Sequence, residues 1–291
     1  MYLWRLQRGR KSMIQWYNPV LMKEMKLRFR SFKSFSGLLF YLATLGIFMT
    51  GFILVATDFG RISFITPELS YLLFILLSVV QMGLVMFITP GVTAGAISSE
   101  REKQTLNMLL TTTQSATQII LGKLLSSIAF IILMLMAGLP IYSIVFLFGG
   151  VAPTQVLMTF AYFLLTLVTI GSIGIFFSTI TKRTVVSMIS TYGAMIFLGA
   201  ITAFLFLVTF IMVGNGVMIN IGKIMMYALA TLNPGAVIVS ITSPEYNNEF
   251  LQFTEFDFPL WASYLIVYSG IALLCLIGAI KRLRVGIKSQ R

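Results

Sequence analysis

Long uninterrupted apolar runs organise this chain. Six of them, at 37–57, 71–96, 124–148, 154–180, 184–213 and 259–280, contain no Asp, Glu, Lys or Arg. The first has 21 residues. As a helix rising ~1.5 Å per residue it covers about 31 Å, enough for the ~30 Å hydrocarbon of a bilayer. The pattern therefore predicts an all-α integral membrane protein with six transmembrane helices. Residues 217–242 are also apolar apart from Lys223, but Asn233-Pro234-Gly235 interrupts them with a turn signal. Neither piece is long enough to cross alone, so they read as two short re-entrant or interfacial helices before span 6. The alternative is a seventh span.

Just ahead of the first run, residues 18–36 form an amphipathic pattern. Asn18 suits an N-cap and Pro19 the first helical position. At about 100° per residue, Leu21, Met22, Met25, Phe29, Phe32 and Phe35 share one arc, opposite Lys23, Lys26, Arg30 and Lys33. Such a helix lies in the headgroup plane, either as a plain anchor with snorkelling lysines or as a lever that also touches a partner. The first apolar run is too long for a cleavable leader and lacks a small-residue exit, so it is expected to act as a signal anchor. No repeat of 20–50 residues is visible.

Composition agrees: 58% of the 291 residues are apolar and 10% charged, far from a soluble domain at ~45–50% and ~25%. The charge of +12 matters for where it lies. With six spans, nineteen of the 21 Lys and Arg fall on the side of the termini, and only Arg61 and Lys223 on the other, which holds six of the nine acids. That split places both termini in the cytoplasm and the acidic 245–257 segment outside; a seventh span would reverse the segment and the basic tail. The positive charge marks orientation and anionic headgroups rather than nucleic acid. The resulting organisation is a cytoplasmic N-terminus (1–36), a membrane domain (37–280) with a cytoplasmic loop at 97–123 and an outer loop at 214–258, and a basic tail (281–291).

Several chemistries are excluded. There is no His and one Cys, Cys275, which removes His acid–base catalysis, disulfide frameworks and nearly all zinc sites; Cys275 reads as a small packing residue. No Asp, Glu, Lys or Arg lies within a span, so ion-coupled carrier chemistry lacks a binding group. No nucleophile–base pair remains for a membrane enzyme. The pairs Gly122-Lys123 and Gly222-Lys223 lack the rest of a phosphate-binding loop, so no cofactor is expected on this chain. Gly171-Ser172-Ile173-Gly174 suits close helix approach. Pro90 and Pro140 are expected to kink their helices, and the Phe and Met residues to face lipid, helix interfaces or a soft cavity.

The loop at 97–123 carries the most specific pattern. Ser99 and Glu102 have capping-box spacing, as do Ser115 and Gln118. Between them a short helix would expose Leu106, Leu109 and Leu110, an apolar edge of the kind that marks a binding face.

The string Glu100-Arg101-Glu102-Lys103-Gln104-Thr105-Leu106, continuing through Leu109-Leu110 to Ile119-Ile120-Leu121-Gly122-Lys123, resembles the first cytoplasmic loop of type-2 ABC exporter permeases. So does Asn18-Pro19-Val20 followed by Lys23-Glu24, Arg28 and Arg30. The resemblance covers essentially the whole chain and identifies it as similar to a bacterial ABC transporter membrane subunit. It implies a permease that works with two cytoplasmic ABC ATPases, which bind the ATP-Mg, and with a second permease, identical or homologous. It implies a coupling helix around 103–112, with Glu100, Arg101, Glu102, Lys103, Thr105, Leu106, Leu109 and Leu110 at the ATPase interface. The connecting helix would use Lys23, Glu24, Met25, Lys26, Arg28, Phe29 and Arg30. Gln104-Thr105 stands where the family often has Gly-Thr. The expected function is export of an amphipathic substrate (a peptide, lipid-like molecule or drug) across a bacterial cell membrane; a non-transporting scaffold or sensor subunit is the alternative.

Overall fold

The computed structural model describes residues 32–58, 66–105, 115–217 and 219–288, and every regular element among them is helical. In chain order these are α1 (Phe32–Ala56), α2 (Pro67–Thr93), α3 (Ser98–Glu102), α4 (Ala116–Leu147), α5 (Pro153–Ile180), α6 (Thr184–Ile196), α7 (Thr202–Gly214), α8 (Ile219–Leu232), α9 (Pro234–Thr242), α10 (Pro244–Thr254) and α11 (Leu260–Lys288). A π turn, Phe197–Ile201, joins α6 to α7 as one rod. Among the described residues, six helical rods are long and apolar enough to cross a membrane: α1, α2, α4, α5, α6–α7 and α11. The six apolar runs of the sequence correspond to them one for one.

The rod ends follow their capping chemistry. Thr66 accepts from the Leu69 N–H, with Pro67 at the first helical position, and starts α2 four residues before its uncharged run. The Ser115–Gln118 capping box is closed, with the Gln118 N–H on Ser115 Oγ at 3.2 Å and the Ser115 N–H on Gln118 Oε1 at 3.0 Å. It starts α4 at Ala116, so Lys123 belongs to the rod. The Ser99–Glu102 box is not formed. The helix begins at Ser98, two residues earlier than a Ser99 cap would start it, so Ser99 Oγ bonds back to the Gly95 carbonyl, and Glu102 is engaged elsewhere. Pro90 and Pro140 both lie inside continuous helices.

The α5 rod is the most enclosed and packs on α2, α4 and α11. Its Gly171 and Gly174 permit this: a Cβ at Gly174 would meet Thr93 Oγ1, with the Thr93 Cβ only 3.0 Å away. Hydroxyls tie α5 to α11, where Thr166 meets the Tyr264 hydroxyl at 2.6 Å and Thr169 donates to the Tyr268 carbonyl at 3.1 Å. A hydroxyl that also bonds its own helix is satisfied without water, as lipid burial requires. On the other flank Tyr41 of α1 donates to Gln81 of α2 at 2.8 Å.

The rods alternate in direction, so the molecule has two ends. One end gathers α3, the α2–α4 and α5–α6 connections and the last turns of α11, with Arg101, Lys103, Lys123, Lys182, Arg183 and Lys281. The other gathers Asp58, Glu68, Glu245, Glu249, Glu255 and Asp257. They are called the basic and acidic ends below.

At the acidic end the chain turns back after α7. Helix α8 runs antiparallel to α7, close enough that a Cβ on Gly222 would strike the Val213 side chain. It reaches Asn233, level with the middle of the fifth rod, and the chain bends by 90° into α9. Helix α9 returns to the acidic end, where the Tyr71 hydroxyl donates to the Thr242 carbonyl at 2.6 Å. The break falls at the Asn-Pro-Gly signal. A third short helix, α10, follows; the sequence reading treats it as loop, although Pro244 at N1 and Glu245 in the first turn are start signals.

Candidate coupling site

The chain leaving α2 turns through 94–97 and enters α3, whose burial is unusual for a charged loop. Ile97 and Ser98 are fully enclosed. The side chain at Ile97 offers no cap, and Ser178 of α5 supplies one instead. Its Oγ accepts the N–H groups of Ile97 and Ser98, each at 2.9 Å, and donates to Ser98 Oγ at 3.2 Å. The first turn of α3 is thereby welded to the fourth rod.

The three charges that follow each reach a different rod. Glu100 pairs with Lys123 of α4 at 2.6 Å, and the Lys123 side chain is only 5% exposed. A lysine so enclosed needs that carboxylate, because an unpaired ammonium there costs several kcal/mol, on the order of 3–5. Arg101 forks: Nη1 donates to the Thr181 carbonyl at 2.7 Å and Nη2 to the Thr179 carbonyl at 3.0 Å. These carbonyls lie at the C-terminus of α5, where the helix dipole favours a cation. Partial burial, and the like charge of Arg282, lower the affinity of the guanidinium for its proton. Glu102 goes to the next helix. Its Oε1 accepts the Thr184 N–H at 2.9 Å and its Oε2 the Thr184 hydroxyl at 2.7 Å, at the N-terminus of α6. An anion belongs at that end. The hydrogen bonds from Thr184 hold the Glu102 carboxyl below the usual carboxylate range.

The helix then stops sharply. The Thr105 N–H reaches the Glu100 carbonyl at 2.9 Å and the Gln104 N–H the Arg101 carbonyl at 3.1 Å, the two bonds of a Schellman motif. Gln104 takes the left-handed position, φ 58°, which glycine fills at no steric cost. Lys103, Gln104 and Thr105 are exposed.

Of the residues singled out from the sequence, Glu100, Arg101 and Glu102 are thus brought together on rods three, four and five. Lys103 and Thr105 stand beside them facing outward. Leu106, Leu109 and Leu110 lie outside the described residues, as does the connecting-helix set Lys23, Glu24, Met25, Lys26, Arg28, Phe29 and Arg30. Sequence reasoning missed the partners Lys123, Ser178 and Thr184. Lys123 carried a signal, since a lysine eight residues into a capped helix leading to a span needs a counter-charge. Ser178 and Thr184 carried none. Among the described residues, no group of three His, Cys, Asp or Glu is placed to hold a metal ion.

The loop thus links three of the membrane rods to one short charged helix. No curated protein matches the chain. The family described as ABC-2 family transporter protein matches residues 83–281, from the middle of α2 through this loop to the last turns of α11. That match covers two thirds of the sequence and all of this loop, and the chain belongs to the ABC-2 transporter family, as a multi-pass membrane permease subunit of an ABC transporter.

Proposed function

We propose that this permease exports an amphipathic substrate, powered by ATP-Mg hydrolysed on two separate ABC ATPase subunits, and that the segment 97–112 receives their stroke. The observation that carries the reading is the division of Glu100, Arg101 and Glu102 among α4, α5 and α6. A push on the loop that followed would be felt by three rods at once, because α3 is joined to each of them by a direct hydrogen bond or ion pair. Leu106, Leu109 and Leu110, at i, i+3 and i+4, form the knob that enters the ATPase, and Lys103 and Thr105 its rim. The connecting helix around Lys23–Arg30 supports the same contact from the N-terminal side. Burial of two or three leucines contributes a few kcal/mol at ~25 cal/mol per Å².

The permease acts with a second permease, identical or homologous. It sits in a bacterial cell membrane with the basic end, and so both termini, in the cytoplasm, as the distribution of Lys and Arg favours. Amphipathic cargo is favoured because the rods offer apolar and hydroxyl contacts without fixed charge.

Pull-down of the ATPase per unit of folded permease tests the assignment. In the Leu106→Asp/Leu109→Asp variant, membrane insertion is expected to persist while ATPase capture and transport are lost. Undiminished capture would remove this loop as the coupling element, and failure of any ATPase to copurify with the wild type would favour a scaffold or sensor.

A further inference from the structure

The acidic end holds a cavity that the coupling reading does not use. Between α7, α8 and α10 lies a cleft of about 400 Å³, walled by Phe206, Phe210, Phe250 and Phe253, with Glu249 at its mouth. A second chamber of about 240 Å³ shares Phe206 and Leu207 with it and ends at Asn233. The two lie one beyond the other along the fifth rod, from the acidic end toward its middle, with Phe206 and Leu207 as their shared wall. The larger part lies within the ~300–1,000 Å³ of small-molecule sites.

The chemistry is graded along their length. Phe250 and Phe253 come from α10, the helix that lies across the acidic end, and Phe206 and Phe210 from the rod beside it. The phenylalanine faces carry negative quadrupole density, which attracts a cation as well as alkyl or ring carbon. The deep end is apolar and lined by Ala203, Ala230 and Ala236; the Asn233 amide there is already committed to Gly199, Thr202 and Ala236. Glu249 is exposed, and among the described residues no cation or donor occupies its carboxylate. Lys223, the only basic residue between 214 and 258, is held by Glu255 at 2.5 Å. Among the described residues, therefore, the mouth presents a negative charge with no paired cation over an aromatic slot open toward the surface of the molecule.

We propose that this groove binds a cationic amphiphile, its positive head between Glu249 and the phenylalanine rings and its apolar tail directed toward Asn233. The inference goes beyond the export reading and does not rest on it, since binding is measured on the permease alone. A negative result here leaves the coupling assignment standing, and loss of the coupling assignment leaves this site standing.

The test is saturable binding of radiolabelled dodecyltrimethylammonium to the full chain in uncharged phosphatidylcholine nanodiscs, with dodecylphosphocholine and dodecyl sulfate as competitors of equal tail length. Binding is expected for the cation, with weak competition by the zwitterion and weaker still by the anion. Glu249→Gln, at an exposed position, should weaken it roughly three- to tenfold, and Glu249→Lys more. Ala203→Phe should cancel the gain in affinity on lengthening the tail from octyl to dodecyl while leaving the octyl affinity unchanged. Equal competition by all three head groups, or unchanged binding in Glu249→Gln, would assign the groove to ordinary lipid tails and overturn the proposal. Absence of a saturable component would do the same.

Discussion

The side-chain amide of Asn233 donates to the carbonyl of Gly199 at 2.8 Å and to Thr202 Oγ1 at 2.9 Å, while its Oδ1 accepts the Ala236 N–H at 3.1 Å. One residue thus fastens the tip of the re-entrant hairpin to the π turn of the fifth rod and caps α9. A π turn disturbs the regular helical ladder, and Gly199 lies at its centre. A polar tip at that depth has no bulk water to fall back on, so its bonds must come from the protein.

Asn233→Ala should therefore be costly. It removes two donors and a cap at a site only 8% exposed, a loss of about 2–3 kcal/mol. The apparent Tm of the detergent-solubilised chain should fall by several degrees. Asn233→Ser, which keeps a capping oxygen but is too short to reach Gly199, should fall between the two. Equal stability of all three proteins would show that the hairpin is not held by its tip.

Gln104 supplies a prediction of the opposite sign. A non-glycine residue in the left-handed region costs ~1 kcal/mol or more, and nothing buried around the exposed Gln104 offsets it. Gln104→Gly should raise the melting temperature, partly opposed by the extra freedom glycine gives the unfolded chain. Gln104→Val, β-branched, should lower it. A destabilised glycine variant would mean that the left-handed turn is not strained.

The six rods and the break at Asn233 were legible because they follow from local facts: uncharged apolar runs, and a Pro-Gly pair after an asparagine. The Ser115–Gln118 box was legible for the same reason. The contacts that were missed around α3 depend on partners distant in sequence. Glu102 stands three residues after Ser99 and reads as a local cap, yet it bonds Thr184, 82 residues away. Glu100 and Arg101 read as rim charges of an ATPase interface, and their neighbours in sequence give no sign that Lys123, Thr179 and Thr181 hold them within the chain. The π turn at 197–201 has no signature in its apolar letters. The third short helix, α10, was hidden by its polarity, because only its Phe250 and Thr254 are buried.

Sidedness can be tested on α10. Asn247 accepts from Ser240 at 2.6 Å, whereas its neighbour Asn248 is exposed, so Asn248 is the better reporter. In a Cys275→Ala background, Asn248→Cys should react with a membrane-impermeant maleimide added to intact cells. Reaction only after permeabilisation would reverse the orientation assigned from the charge distribution.

The last prediction separates the coupling role of Arg101 from its charge. A guanidinium has two donor arms in fixed geometry and spans the carbonyls of Thr179 and Thr181 together; an ammonium keeps the charge but is a point donor on a flexible stem. Arg101→Lys should retain the attraction to the α5 C-terminus while losing the rigid two-point attachment. The proposed transmission requires rigidity, so ATPase capture and basal ATP hydrolysis by the complex should stay near wild type while transport per ATP falls. Thr184→Val should act similarly on the fifth rod, since it removes the hydroxyl that Glu102 holds at 2.7 Å and leaves the backbone bond. If the loop were only a structural strap, both variants would lower the melting temperature and the amount of folded protein, yet surviving molecules would transport with unchanged ATP stoichiometry. Transport and hydrolysis measured together in proteoliposomes decide between these, and an unaltered ratio in Arg101→Lys would end the assignment of this residue as a coupling element.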